Sequence, residues 1–298
     1  MRVTEGIIYR SAVKNLGRLN SDVQKLNEQI SSGKRLVQPS EDPVAAVSAQ
    51  GVRGKLAALA QQKRNVDAWK GWLQSTENAM TAAQTVVSRA RELAVQMSNA
   101  TYSQAQRQSA AEEVNNLLEQ MVSLGNTEYE GRYVFSGFRD DTAAFDVTRV
   151  GGEITAVTYT GDDGHHELKL GPSSRLEASL TGEETFQTGG NLFSTLIGLR
   201  DALRANDAGA VANTLTDLTN ATSSLSALVA DVGSKVNRLD LRLTLIEDTT
   251  QADTERLSEL EDADLVAAVS ALQNKELAYE AALKATASIQ GLNLASYL

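Results

Sequence analysis

The sequence predicts a mainly α protein: a long, coiled-coil-like helical rod drawn from both halves of the chain, with a small β-rich domain inserted mid-chain. Three observations predict it. Apolar residues near both ends recur at alternating steps of four and three, the rhythm of helices that bury a narrow seam. Only 5% of the 298 residues are aromatic and three are proline, while Ala, Leu, Val, Gln, Asn, Ser and Thr abound. That mix suits long helices with small-residue seams better than a compact aromatic core. Between residues 140 and 187 the period drops to two and glycine-rich turns take over.

The first helix carries Ala12, Leu16, Leu19, Val23, Leu26 and Ile30 on one line. Ser31-Ser32-Gly33 stops it, with Gly33 suited to a left-handed cap. Gln38-Pro39-Ser40-Glu41-Asp42-Pro43 is a stiff connector in which Asp42 is placed to cap the next helix and Pro43 to open it. That helix is long: Val66, Trp69, Leu73, Thr76, Met80, Ala83, Val87, Ala90, Ala94 and Met97 hold the rhythm without a break. After the polar stretch 99–103, Ser103 caps a further helix with seam residues Val114, Leu117, Met121 and Leu124, ended by Gly125-Asn126.

The character then changes. Tyr133-Val134-Phe135-Ser136-Gly137 reads as a strand leading into a turn. Residues 153–159 alternate with period two, as do 165–170, and Gly161-Asp162-Asp163-Gly164 between them predicts a hairpin joining the two. An insertion of roughly 50 residues is marginal as an independent fold. Helices resume at Asn191, with Leu192, Leu196, Leu199 and Leu203 on one face and a loop at 206–209. A second very long helix carries Leu215, Leu218, Leu225, Leu228, Val232, Leu239, Leu243 and Ile246. Past Glu247 the stripe thins; it returns at Leu265, Val269, Leu272, Tyr279 and Leu283, with Leu292 and Leu294 near the end. The expected domains are paired terminal helices at 1–42 and 258–298, a long-helix rod at 43–138 and 190–257, and a β-rich insertion at 139–189.

A seam on a lone helix is marginal in water, because most helical stability comes from packing. The N-terminal arm is therefore expected to pair with the C-terminal arm. The apolar surface left over wants further partners, of which identical subunits are the nearest, and repeated contacts that do not close give a helical array. The candidate contact residues are Leu16, Leu19, Val23, Leu26, Ile30, Leu265, Val269, Leu272, Tyr279, Leu283, Leu292 and Leu294.

Charge and composition narrow the function. Lys and Arg number 28 against 38 Asp and Glu, a net charge of 28 − 38 = −10, which opposes binding to nucleic-acid phosphates. The chain has no cysteine, so disulfides, zinc–cysteine sites and a cysteine nucleophile are excluded. The N-terminus lacks the apolar core of a Sec signal, and no stretch approaches a membrane-spanning length of apolar residues. The expectation is a cytosolic protein, or one exported without a cleaved signal. His165-His166-Glu167 is the one cluster with metal-ligating side chains, but adjacent strand residues point to opposite faces, and an exposed hairpin tip is expected there. Asp162-Asp163 lacks the spacing of a calcium loop. Glu261 and Asp264 share a helix face with no nucleophile nearby, which suits a solvated or interface turn. Trp69 and Trp72 are the two candidates for stacking on a sugar or a base; three residues apart on a seam, they are expected in the core. No nucleotide-binding or serine-hydrolase motif occurs. Neither catalytic residue nor cofactor nor metal is expected.

The opening MRVTEGIIYRSAVKNLGRLNSDVQKLNEQISSGKRLVQPSEDPVAA is similar to the N-terminal region of the flagellin-like axial proteins of bacterial flagella. Its most specific part is Gln29-Ile30-Ser31-Ser32-Gly33-Lys34-Arg35 followed by Pro39-Ser40-Glu41-Asp42-Pro43-Val44-Ala45-Ala46. Three internal stretches agree: EGRYVFSG from Glu130, VGSKVNRL from Val232 and EDADL from Glu261. The ending GLNLASYL resembles the hook–filament junction branch of that family, whereas filament members typically carry an NSAKDDAAG-type stretch where this chain has residues 37–46. The resemblance implies terminal helices lining a tube, a long-helix domain outside them and a β-rich domain outermost. It implies export, unfolded, through the flagellar type III channel to an extracellular position. The implied partners are further copies of itself, the hook-side junction protein FlgK, flagellin, and the cytoplasmic export chaperone FlgN on the C-terminal arm, with no nucleic acid and no membrane. The competing readings are a minor flagellin and a generic secreted coiled-coil scaffold.

Overall fold

The structure, a computed structural model, describes residues 2–171, 174–188 and 190–295. Its elements in order are α1 (Arg2–Ser32), α2 (Pro43–Met97), α3 (Gln104–Gly125), β1 (Glu128–Tyr129), β2 (Arg132–Tyr133), β3 (Phe145–Val150), β4 (Glu153–Tyr159), β5 (Glu167–Lys169), β6 (Arg175–Glu177), α4 (Gly182–Phe186), α5 (Leu192–Arg204), α6 (Ala208–Glu261) and α7 (Leu265–Ala295). They form two compact units, one of Met1–Ala60 with Glu247–Leu298 and the other Gln61–Ile246.

Local chemistry sets the helix ends. The Asp42 carboxylate accepts the Ala45 N–H at 3.0 Å, and α2 opens on Pro43. Ser103 and Gln106 close a reciprocal capping box at the start of α3. Asn191 accepts the Ser194 N–H at the start of α5, and Asp207 accepts from Gly209 and Ala210 where α6 begins.

In the second unit α2 and α6 run antiparallel, with Gln62 against Arg242 at 3.0 Å and Gln84 against Ser226 at 3.2 Å. Each buries a strict seven-residue repeat: Val66, Leu73, Met80, Val87 and Ala94 on α2, and Val211, Leu218, Leu225, Val232, Leu239 and Ile246 on α6. That is the period of two helices packed along a common seam. Helix α3 packs on α5. Its buried face differs from the expected line, because Leu118 and Val122 enter the core while Leu117 and Leu124 stay at its rim. Ala110, Ala111, Val114, Leu118, Met121, Val122 and Gly125 form a stripe wider than a single seam, as a helix gripped on more than one side requires.

The inserted region departs from expectation in its pairing. Strand β4 pairs with β3 upstream, through the Gly151-Gly152 turn, and β5 pairs with β6. Both turn glycines have positive φ, 62° and 91°, the geometry whose twist matches a tight hairpin. The Gly161–Gly164 stretch closes no hairpin. There the Asp162 carboxylate accepts the N–H groups of Phe138 at 2.8 Å and Gly164 at 3.0 Å, which hold it below the usual carboxylate range. The strand expected from Tyr133 stops at that residue, and Val134, Phe135 and Ser136 continue as a buried turn. Helix α4, capped by Thr181 and Glu184, was not expected. His165 and His166 are half-buried, not an exposed tip.

The insertion shares its core with the helices. Phe145 of β3 lies 4.7 Å from Phe193 of α5 and 5.5 Å from Phe186, which meets Phe135 at 5.2 Å. Buried Arg200 of α5 donates to the Ile154 carbonyl of β4 at 2.7 Å. Arg107 fastens the opposite turn. It is 4% exposed and donates to the carbonyls of Met97 and Asn99, both at 3.0 Å, and to the Asn206 side chain. It thus gives the last carbonyl of α2, that of Met97, a cationic donor where the helix dipole favours one. An Arg107→Met variant should lose about 3 kcal/mol from the second unit, because buried carbonyls lose their donors; urea unfolding followed by tryptophan fluorescence reads this, since both tryptophans lie in that unit.

Candidate assembly surface

The first unit is built on the pairing of α1 with α7. Half-buried Ala12, Leu16, Leu19, Val23, Leu26 and Ile30 form the α1 side, and Asp22 on the same face meets Lys275 of α7 at 2.7 Å. That ammonium holds the Asp22 carboxyl below its ordinary range. On α7 the covered line is Ala268, Leu272, Lys275, Tyr279, Ala282 and Thr286, stepping 4, 3, 4, 3, 4.

The predicted residues therefore divide. Leu16, Leu19, Val23, Leu26 and Ile30 share the seam with Leu272 and Tyr279. Leu265, Val269 and Leu283 lie off it and are 48%, 41% and 44% exposed. The side chains of Leu292 and Leu294 fall outside the described residues. Sequence reasoning missed Ala268, Lys275, Ala282 and Thr286 because it ranked positions by apolar size; only their regular 4, 3 spacing marks them. It also missed Val266 and Leu277, which are 83% and 68% exposed on the side of α7 turned away from α1. Among the described residues α7 thus carries large apolar side chains on its uncovered side as well, interspersed with Gln273, Glu276, Glu280 and Lys284.

The register of this pair is set by a clasp. Gly33, at φ 69°, ends α1. The next residues pair with the break between α6 and α7: the Arg35 N–H donates to the Glu261 carbonyl at 2.6 Å, the Ala263 N–H to the Gly33 carbonyl at 2.9 Å, and Lys34 forms an isolated bridge with Asp262. The Arg35 guanidinium reaches the Leu260 carbonyl at 2.7 Å. Glu261 is buried, so of the solvated or interface turn expected the solvated form is excluded, and its carboxylate lies 2.8 Å from Arg53 and 3.7 Å from Lys34. Lys34 and the Ser258 hydroxyl hold the Asp262 carboxyl below its usual value. Beside the clasp Leu36, Val37, Pro39 and Val47 line a groove of about 470 Å³, edged by exposed Val44. Among the described residues no group of three acidic or histidine side chains could hold a metal ion, and no helix is long and apolar enough to cross a membrane. What the first unit offers is exposed apolar surface on a helix pair whose register the clasp sets.

Comparison with known proteins identifies relatives of the chain. Residues 3–140 match the bacterial flagellin N-terminal helical region and residues 215–298 the bacterial flagellin C-terminal helical region. The chain is similar to flagellar hook-associated protein 3 of Escherichia coli strain K12, 28% identical over 323 residues that cover 99% of this chain and 98% of that protein. Its similarity to the flagellin of Bacillus subtilis strain 168 is 29% over 147 residues, 48% of each chain. The crystal structure of Bacillus cereus FlgL shares the fold, with a TM-score of 0.60 at 24% identity over 70% of this chain and 99% of that one.

The clasp makes a prediction with a pH sign. A carboxyl held low in the fold stabilises above its unfolded pKa, and that contribution is lost as pH falls through the lowered value. Lys34→Gln should therefore return Asp262 toward its ordinary value in a carbon-detected carboxyl titration. Amide protection in α7 should fall at neutral pH by less than about tenfold, the scale of an exposed ion pair, and variant and parent should converge in acid.

Proposed function

We propose a structural role at the hook–filament junction for this chain, which belongs to the bacterial flagellin family. The observation that carries it is the α1–α7 pair, which leaves Leu277 and Val266 on the far side of α7, and Val269 and Leu283 on its flank, in solvent. An apolar surface of that kind on a single chain marks an association site, and a helix pair repeated around an axis buries it. The end-to-end similarity to a hook-associated protein, against a partial one to flagellins, favours a junction subunit over a minor flagellin.

On this proposal residues 1–42 and 258–298 line the inner tube, residues 43–138 and 190–257 form the long-helix domain that tells one neighbour from another, and residues 139–189 face outward. The subunit joins copies of itself, the hook-side junction protein FlgK and the first turns of flagellin. It reaches the cell exterior through the flagellar export channel, with FlgN holding its C-terminal arm beforehand. The supports are the family membership and the uncovered terminal helices; the role needs no catalytic group.

Deleting the gene tests the role. Hooks without filaments, with flagellin monomers lost to the medium, are expected by electron microscopy and immunoblot; normal filaments would overturn it. The surface is tested by Leu277→Glu. Because the site is exposed, monomer stability should change by no more than about 0.5 kcal/mol, while cells carrying the variant should export flagellin without retaining filaments.

A further inference from the structure

The two tryptophans are left unused by the assembly role, and they form a site of their own. Trp69 and Trp72 of α2 have ring centroids 5.7 Å apart. The β1–β2 hairpin closes over them. Tyr129 meets Trp72 edge-on at 6.3 Å, and its ring crosses α2 at Gly71, where a Cβ would come within 2.1 Å of the Tyr129 hydroxyl. Glycine at 71 is what lets the hairpin lie this close. Ala68, Trp69, Trp72, Tyr129, Glu130 and Arg132 line a recess of about 150 Å³.

Three features mark this recess as more than a packing gap. Trp72 is 4% exposed, yet its Nε1–H has no hydrogen-bond partner among the described residues, and an orphaned buried donor costs about 1–3 kcal/mol. Glu130 has φ 51°, in a two-residue turn that favours Asn, Asp or Gly at that position; holding glutamate there costs about 1 kcal/mol, and the strain keeps a carboxylate at the rim. Arg132, held at one end by Asp140, places a guanidinium beside it.

The polar inventory selects the ligand. Trp72 needs an acceptor, Glu130 needs a donor, Arg132 donates, and the rings offer apolar faces. An alkylammonium ion would use the rings and Glu130, but it has nothing to give Trp72 and is repelled by Arg132. A nucleotide brings phosphates to a chain of net charge −10. A neutral sugar ring has C–H faces to stack and hydroxyls that both donate and accept. We propose that the recess binds a single neutral pyranose, either free or as the exposed residue of a glycan.

The chain has two tryptophans and both line the recess, so intrinsic fluorescence of the full chain reports on it. Titration with glucose, galactose, mannose and N-acetylglucosamine should give a saturable emission change with a millimolar dissociation constant for at least one of them. Glu130→Gln, an exposed change that leaves the fold intact, should weaken binding about tenfold. Tighter binding of the β-1,4-linked N-acetylglucosamine trimer than of the monosaccharide would assign the source to a glycan, and equal binding to the free sugar; both support the site. No saturable change with any sugar would overturn the proposal, as would unchanged affinity in Glu130→Gln. So would saturation by tetramethylammonium chloride instead, or an emission change on diluting the protein alone, which would give the recess to a second copy.

Discussion

Two helices packed side by side cover one face of each, and the rest of the first unit follows from that limit. On α1 the limit is harmless over the described seam, because the line from Ala12 to Ile30 lies between polar flanks such as Asn15, Arg18, Gln24 and Lys25. On α7 it is not. The covered line mixes Ala268, Ala282, Thr286 and Lys275, on Asp22, with Leu272 and Tyr279, while Leu277 and Val266 face water. A sequence that needed only to fold as a monomer would place its large side chains on the covered line, where burying each is worth about 1.5–3 kcal/mol. Leaving Leu277 and Val266 in water forgoes that gain.

The second unit meets the opposite requirement and closes on itself. The seven-residue repeats of α2 and α6 bury their large residues against each other, and the phenylalanine cluster carries the core into the inserted strands. Among the described residues no sheet in the insertion exceeds two strands, and an isolated two-stranded hairpin is marginal in water. Its stability is borrowed through Phe145, Phe186 and Arg200, so the insertion depends on the helical core around it.

Much of this was legible in the chain. Period and capping were readable because they are local: Asp42 and Ser103 announce helix starts, Gly33 a helix end, and the line from Val66 to Met97 a buried seam in which Trp69, expected in the core, is half-buried. Pairing was not local and was misjudged. Residues 153–159 had two glycine-rich turns to choose between, and Gly151-Gly152 won because both of its residues sit at positive φ, while Asp162 is engaged by the backbone of Phe138. The covered face of α7 was misjudged for a different reason. On a helix with large apolar residues on its uncovered side as well, size does not reveal which face meets the partner, and the deciding residues were two alanines and a lysine. The burial of Glu261 and the recess at Trp69 and Trp72 depend on residues far apart in sequence, Arg53 for one and Tyr129 for the other, and no local pattern encodes them.

The clasp accounts for how so permissive a pair keeps one register. Small side chains on the seam add little to the choice of alignment, but sliding α7 by a heptad would bring Lys275 or Glu261 to the place of Ala268. Polar contacts discriminate well, because a misplaced buried charge is expensive. Glu261 is buried and needs Arg53 and Lys34, Asp262 needs Lys34, and the backbone bridge at Gly33 needs Ala263, all at one end of the helix pair. Asp22 and Lys275 repeat the constraint further along. Specificity is therefore carried by a few polar contacts and affinity is left to the uncovered apolar faces. On the proposed junction role, that division would let neighbours add stability to the helix pair by mass action when they cover it.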